Sequence, residues 1–432
     1  MTEAVQWANL VGGEQARARL RKRYAAERRF RLYGLLSVLA AVAALSIIFV
    51  SIFLKGYTAF YTTEIALDLQ YDAAVLDPAG DGDPAALAQA DFAALVKAAL
   101  LKRFPEATSR QDRRALSALV SGAAAFRLRD RVLANPGLIG TVERIWLPAT
   151  SNVDMLRKGA LSRDTAGGGL LSPAQIAWFD ALEADGRITY AFNTTLFTAG
   201  DSREPEQAGL LGALVGTMLT MAVTLILAFP LGVATAVYLE EFAPRNRWTD
   251  LIEININNLA AVPSIVFGLL GLAVFLGVLH LPRSTPLVGG VVLALMVLPT
   301  FIIAARAAIR AVPPSIREGA MAIGASPMQT AIHHVLPLAM PGILTGAIIG
   351  MAHGLGESAP LLMIGMVAFI VDVPQAITDP ATALPVQIYL WADSPERGFV
   401  ERTSAAILVL LIVLVLINLV ATVLRRRFER RW

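Results

Sequence analysis

Uncharged apolar runs separated by short charged segments set the plan of this chain. Residues 32 to 54 (LYGLLSVLAAVAALSIIFVSIFL) carry no charge, and at about 1.5 Å per helical residue they cover a hydrocarbon core of about 30 Å. Comparable runs lie near 209–239, 254–279, 287–311, 342–371 and 403–424, so the pattern predicts six membrane helices. The first run is too long for a signal-peptide core and no A-x-A-like site follows it, which reads as a retained anchor. Between it and the second run, 55–208 breaks the pattern. Within that stretch DPAALAQADFAALVKAALLKRF (83–104) and SRQDRRALSALVSGAAAFRLRDRVLA (109–134) place apolar residues at helical spacing, and ITYAFNTTLF (188–197) reads as strand. A small α+β domain is expected there, ahead of a five-helix core at 209–424.

Charge orients the spans. The tail over 1–31 holds Arg17, Arg19, Arg21, Lys22, Arg23, Arg28, Arg29 and Arg31, and 425–432 holds Arg425, Arg426, Arg427, Arg430 and Arg431. Lys and Arg in short flanking segments stay on the cytoplasmic side, so both termini are expected inside, with 240–250 and 312–341. The stretches 55–208, 280–286 and 372–402 fall outside.

Composition then narrows the chemistry. A chain 56% hydrophobic and 16% charged is not an ordinary soluble protein, and a net charge of +3 gives no footprint for nucleic acid. The absence of cysteine excludes disulfides, thiolate nucleophiles and cysteine metal sites. The segment 55–208 has no histidine, and its Gly167-Gly168-Gly169 lacks the Lys-Ser/Thr of a phosphate loop. It reads as an interaction or structural domain.

The richest local signals lie between the fourth and fifth runs, in AVPPSIREGAMAIGASPMQTAIHHVLPLAMPG. Ser315 precedes Glu318 by three positions, the spacing of a capping box. Gly324 can supply a left-handed helix end, and Ser326-Pro327 with Gln329 offers a second cap. Pro337 and Pro341 are expected to bound the second helix, giving a compact helix–turn–helix that lies flat on the membrane with an apolar face needing a partner. A well-capped connector is the plainer alternative, since capping boxes start many helices.

Glu318-Gly319-Ala320, then Gly324, then Leu336-Pro337 resembles the EAA loop of membrane permeases of binding-protein-dependent ABC importers. Tyr238-Leu239-Glu240-Glu241-Phe242, Pro263-Ser264-Ile265-Val266-Phe267-Gly268, Gly356-Glu357-Ser358-Ala359-Pro360-Leu361-Leu362 and Leu384-Pro385-Val386-Gln387 resemble the permeases of the high-affinity phosphate importer, the last two its A-type subunit. Gly319 and His334 depart from positions usually Ala and aliphatic. The resemblance covers roughly half the chain. It implies an all-α polytopic membrane protein, type I ABC importer permease-like with six transmembrane helices, carrying an inserted extracytoplasmic α+β domain found in a longer subgroup. It further implies a bacterial inner-membrane location, no cofactor, and coupling to an ATPase through Glu318, Gly319, Ala320, Gly324, Leu336 and Pro337. The implied partners are a second permease in a heterodimer, a dimer of ATP-binding subunits and an extracytoplasmic phosphate-binding protein.

Ionisable groups in spans cost about 2.5–3.5 kcal/mol each on the insertion scale and ask for a reason. Arg306 with Arg310, and His353 with Glu357, are each one helical turn apart, so each pair shares a face. Asn255, Asn257 and Asn258 cluster at the start of the third run. The arginines can instead snorkel to headgroups, and the His–Glu pair can simply pack helices. In permeases resembling this one Arg often stands at the position of His353, and a protonated imidazole would suit a passing oxyanion. Pro263, followed by Ser264, breaks a helix, which a membrane tolerates only against protein or a water-filled cavity. These residues are candidates for a translocation path. Gly342, Gly346, Gly350 and Gly354 would let another helix approach. No GxxxxGK[ST] motif occurs, so ATP would be hydrolysed in trans. The leading expectation is a phosphate permease subunit. Sulfate, molybdate or phosphonate would fit the same topology, and a membrane-anchored sensor or scaffold acting through 55–208 is the alternative of another class.

Overall fold

The computed structural model describes residues 14–428 except 79, 81, 164–168 and 368. Gly167 and Gly168 of the glycine loop, residues 1–13 of the basic tail and Arg430 and Arg431 lie outside the described residues. Residues up to Leu54 form one unit and those from Lys55 onward another. A single helix, α1 (Glu14–Gly56), carries both the basic segment and the first apolar run. Its polar half includes an Arg31–Glu27 ion pair of 2.6 Å at the i,i+4 spacing of neighbouring helical side chains.

The α+β domain is built on β1 (Tyr61–Gln70), with β2 (Val142–Pro148) and β3 (Ile188–Phe192) antiparallel on either side. Strand alternation sends Ile65, Leu67 and Leu69 into a core closed by α2 (Phe92–Arg103), α3 (Arg110–Ser117) and α4 (Ala123–Ala134), together with α5 (Ser151–Arg157) and α6 (Pro173–Ala184). The opposite face of β1 presents Asp68, whose carboxylate takes Arg144 of β2 at 2.8 Å and Arg187, just before β3, at 2.7 Å. One carboxylate thus ties all three strands.

Two expected helices and the expected strand prove shorter. The stretch 83–104 divides at Asp91, whose side chain accepts from Ala94 N and starts α2. The stretch 109–134 divides where Ser121 N donates to Pro148 O, a sheet bond that outweighs helix propensity. The strand ends at Phe192, because Asn193 is buried, donates Nδ2 to Ala59 O and accepts from Leu196 N to begin a short helix at Thr195.

The domain has its own core but is locked to the helices beyond it by buried polar groups. Lys158 pairs with Asp154 at 2.5 Å and with Glu401 at 2.9 Å. Asp154 also accepts from Thr63 N and Oγ1, and Glu401 accepts from Thr58. Beside them Arg402 is buried and donates to Ala208 O at 3.0 Å. Burial pushes the Asp201 carboxyl up despite the Trp391 indole that donates to it at 2.9 Å.

The core comprises α7 (Leu211–Val237), α8 (Arg247–Ala260), α9 (Ser264–Leu270), α10 (Pro286–Arg310), α11 (Pro314–Ala322), α12 (Leu336–Gly356), α13 (Ala359–Met363), α14 (Leu384–Ala392) and α15 (Phe399–Phe428). With α1, the described residues hold five helices long and apolar enough to span a membrane, or six if one bent pair counts as one span. That pair is the third expected run, and the helix break expected at Pro263 is a bend of 104° between α8 and the helix beginning at Ser264. Proline lacks the N–H and disfavours helical geometry in the residue before it.

The fifth expected run, 342–371, is corrected. Its helix stops at Gly356, Glu357 is extended, the short α13 follows, and Gly365 at φ +93° turns the chain after it. Leu361, Ile364 and Met366 are apolar because they are buried in protein.

Close helix approach explains the glycine series. A Cβ on Gly342, Gly346 or Gly350 would sit 2.6, 2.2 or 2.2 Å from Ala308, Ala304 or Phe301 of α10. The series is therefore a helix contact face. On α7, Thr217, Thr220 and Thr224 return their hydroxyls to carbonyls four residues back, which satisfies polar groups inside the bundle.

The Asp68 triad gives a pH prediction. Hydrogen bonds from Arg144 and then Arg187 hold its carboxyl at about 2, below the ordinary aspartate value of 3.8. A depressed folded pKa contributes stability above the unfolded value and loses it as pH falls towards the folded one. Asp68→Asn should therefore lower the thermal midpoint of the α+β domain at pH 6, and the difference from the parent should shrink between pH about 4 and about 2. A difference independent of pH would show that the triad acts by shape alone.

Candidate functional site

The connection between α10 and α12 begins with α11, whose cap position is Pro313 with Pro314 in the first turn. The expected Ser315 cap is corrected: Ser315 lies within the helix, since two prolines with preset φ already start it. Glu318 and Gly319 are exposed, whereas Ala320 is buried. Gly324 has φ +94°, the left-handed position expected of it. Ser326 and Gln329 form a complete capping box.

The next helix does not stop at Pro337 or Pro341. From Pro327 it runs to Gly356 as one helical segment, through a π-helical stretch at Thr330–Val335. That wider turn lies just before Pro337, where an α-helical proline would clash with the carbonyl four residues back. Leu336 and Pro337 are half-buried, and Leu336 packs on the buried cluster of Ala305, Ile309 and Val335. Around Gly324 the exposed apolar groups are Met321, Ile323 and Met328, the second 83% exposed. His334 is half-buried. The loop is a helix–turn–helix with an apolar outer face.

A charge network lies beneath it. Arg306 pairs with Glu240 at 2.6 Å and with Glu253 at 2.5 Å, and Arg310 pairs with Glu240 at 2.8 Å. Arg306 is nearly buried, so its cation is matched within the protein and does not snorkel. Glu240 and Glu241 sit on a π-helical turn, Tyr238–Phe242, that ends the α7 span. Sequence reasoning had Tyr238–Phe242 as a motif but missed its partners, above all Arg317 of α11, which takes Glu241 at 2.7 Å. The available signal was two adjacent carboxylates and three arginines expected at the same end of the bundle.

His353 Nε2 and Glu357 Oε1 are 3.2 Å apart, with His353 exposed and Glu357 half-buried. The structure does not bring this pair to the arginines. Gly354 faces Val297 on α10, and Arg306 lies further along that helix by about 13 Å at ~1.5 Å per residue. Pro263 is exposed and Ser264 half-buried at the bend. Gly268 lies so close to α13 that a Cβ would come 2.7 Å from Pro360 Cα, so two of the quoted motifs pack on each other. Asn255, Asn257 and Asn258 are exposed. Of the remaining motif, Leu384 N bonds Thr217 Oγ1 at 2.8 Å, and Gln387 is buried.

A bundle with a broken span, a short helix packed inside it and a capped loop with an apolar face defines an integral component of a membrane transporter. Residues 228–432 match the family described as the binding-protein-dependent transport system inner membrane component, and residues 17–167 match a domain of unknown function. The phosphate transport system permease protein PstA 1 of Mycobacterium tuberculosis is 34% identical over 229 residues, 52% of this chain and 74% of that protein. The permease protein PstC 1 of Mycobacterium bovis is 31% identical over 250 residues, 51% of this chain and 73% of that protein. A subunit of the methionine ABC transporter MetNI in an inward-facing conformation matches with a TM-score of 0.41 at 20% identity, over 50% of this chain and 95% of that one. The chain belongs to the PstA-type phosphate transport system permease family. It is a multi-pass inner-membrane permease.

Two substitutions test the loop. Nothing lies within 4 Å of a Cβ at Gly319 or Gly324, but only Gly324 has positive φ. Gly319→Ala should stabilise α11 by about 0.5–1 kcal/mol through helix propensity. Gly324→Val should cost about 1–2 kcal/mol in the left-handed region. Amide hydrogen exchange across 314–330 should slow in the first and quicken in the second; equal effects would contradict the local geometry.

Proposed function

We propose that this permease forms half of the translocation path for inorganic phosphate in an ATP-driven importer, with the α+β domain outside and both termini cytoplasmic. ATP is hydrolysed by a separate dimer of ATP-binding subunits, which dock on the loop between α10 and α12. The observation that carries this reading is the loop surface: Glu318, Gly319, Met321, Ile323 and Met328 are exposed around Gly324, at the end of the bundle away from the α+β domain. Ala320, Leu336 and Pro337 support that surface from within. Such a face buries apolar area on a partner, and the chain has no nucleotide-binding motif of its own.

The second permease completes the path as a heterodimer, and an extracytoplasmic phosphate-binding protein delivers the ion. Family membership favours phosphate over sulfate, molybdate or phosphonate. In the path, His353 offers a donor or cation to the oxyanion, Glu357 orients the ring, and the break at Pro263 and Ser264 opens the helix wall. Arg306 and Arg310, their charges balanced by Glu240 and Glu253, shape the inner mouth of the path. The direct test is uptake by proteoliposomes containing all four components, with each oxyanion as competitor. Competition by sulfate equal to that by phosphate would remove the substrate assignment.

For His353 the expectation is specific. His353→Arg should retain uptake and His353→Leu should reduce it by about tenfold, a barrier increase of ~1.4 kcal/mol. Assembly should be intact in both, because His353 is exposed and not part of the core. Parental uptake in His353→Leu would return the pair to helix packing.

A further inference from the structure

Adjacent carboxylates at the end of the α7 span are divided between two jobs. Glu240 faces inward to Arg306 and Arg310, and Arg306 in turn holds Glu253 of α8. Glu241 faces the loop. There the Arg317 guanidinium meets it through Nη2 at 2.7 Å and Nε at 3.1 Å, a two-pronged contact. The same guanidinium donates Nη1 to Val312 O at 2.7 Å and Nη2 to Ile309 O at 3.0 Å, capping the open end of α10. Arg317 is therefore fixed to α7 and α10 at once, while its neighbours Glu318 and Gly319 are exposed.

We propose that Glu241 and Arg317 form the joint through which movement of α11 reaches the transmembrane helices. The inference rests on the docking role proposed for α11 and adds positioning residues that do not touch the ATPase. A docked helix can move its membrane neighbours only where it is tied to them. Arg317 is such a tie, because its pairing is charge-assisted, half-buried and held in a fixed fork geometry. From Glu241 the link continues through its sequence neighbour Glu240 to Arg306 and Glu253, and so to the helix that precedes the 104° bend. The π-helical turn Tyr238–Phe242 is the element that points successive carboxylates at two different partners.

The test is a double-mutant cycle in the assembled importer with Glu241→Gln, Arg317→Gln and both together. Co-purification of the ATP-binding subunit is measured first, and the parent complex must retain it, which checks the docking reading separately. Each single variant should keep the bound subunit but lose uptake by roughly three- to thirtyfold, the usual range for altered coupling between sites. The double variant should be no worse than either single, as for two halves of one contact. Parental uptake in either single variant, or losses that multiply in the double, would overturn the joint. Loss of the ATP-binding subunit from Arg317→Gln would also overturn it, since the residue would then hold the docking surface itself.

The cysteine-free chain permits a second measurement. Glu241→Cys with Arg317→Cys should lose uptake when reduced and regain it when a short cleavable cross-linker bridges the two thiols. No recovery on bridging, with the subunit still bound, would likewise count against the proposal.

Discussion

The Glu240 carboxylate between Arg306 and Arg310 is the contact on which the lower half of the bundle depends. Arg306 is almost sealed from water, and breaking one partner of a buried pair typically costs about 3–5 kcal/mol. Arg306 draws in Glu253 as well, so α7, α8 and α10 converge on one guanidinium. The constraint is general to a chain that folds in lipid: polar groups must be satisfied inside the protein. Threonines on α7 obey it through their own helix, and Lys158 obeys it with Asp154 and Glu401. Pairs of buried charges thus mark the places where separate elements are obliged to meet.

Spacing made some of this legible. Apolar runs located the spanning helices, and the Ser326–Gln329 box and Gly324 turn could be read from residue types alone because each is a local event. Local patterns fail where a distant group competes. Asn193 ends β3 because it finds the Ala59 carbonyl across the domain, and Ser121 breaks a helical stretch for the sheet. In the site, the three ion pairs from Glu240 and Glu241 to α10 and α11 were not legible, since both carboxylates look like ordinary charges at the end of a span. Only the fold shows that they take different partners.

Hydrophobicity and helicity also part company. Residues near 357–371 are as apolar as a span, but Glu357 is extended and the chain turns back. What the sequence pattern recorded there was burial in protein, which a hydropathy run cannot distinguish from burial in lipid. The distinction was present in smaller signals. Gly268 admits Pro360 at a distance that no side chain would allow, and Pro263 bends the partner helix. Two proline-containing motifs far apart in the chain are therefore one structural feature, a wall of short helices within the bundle, and their glycine and proline content is required by the contact they make.

Fixation at both ends gives α7 its place in the fold. Just before it begins, Ala208 O accepts from the buried Arg402, while Gly209 and Leu210 bond back to Gly200 and Leu196. At the other end Glu240 and Glu241 hold α10 and α11. Between these anchors the helix contains Pro230, yet α10 presses along it, with a Cβ at Gly232 only 2.9 Å from Phe301. Close-packed interiors transmit displacement because there is little free volume to absorb it. A helix pinned to the α+β domain side at one end and to the loop at the other is consequently a rigid connection between those two surfaces.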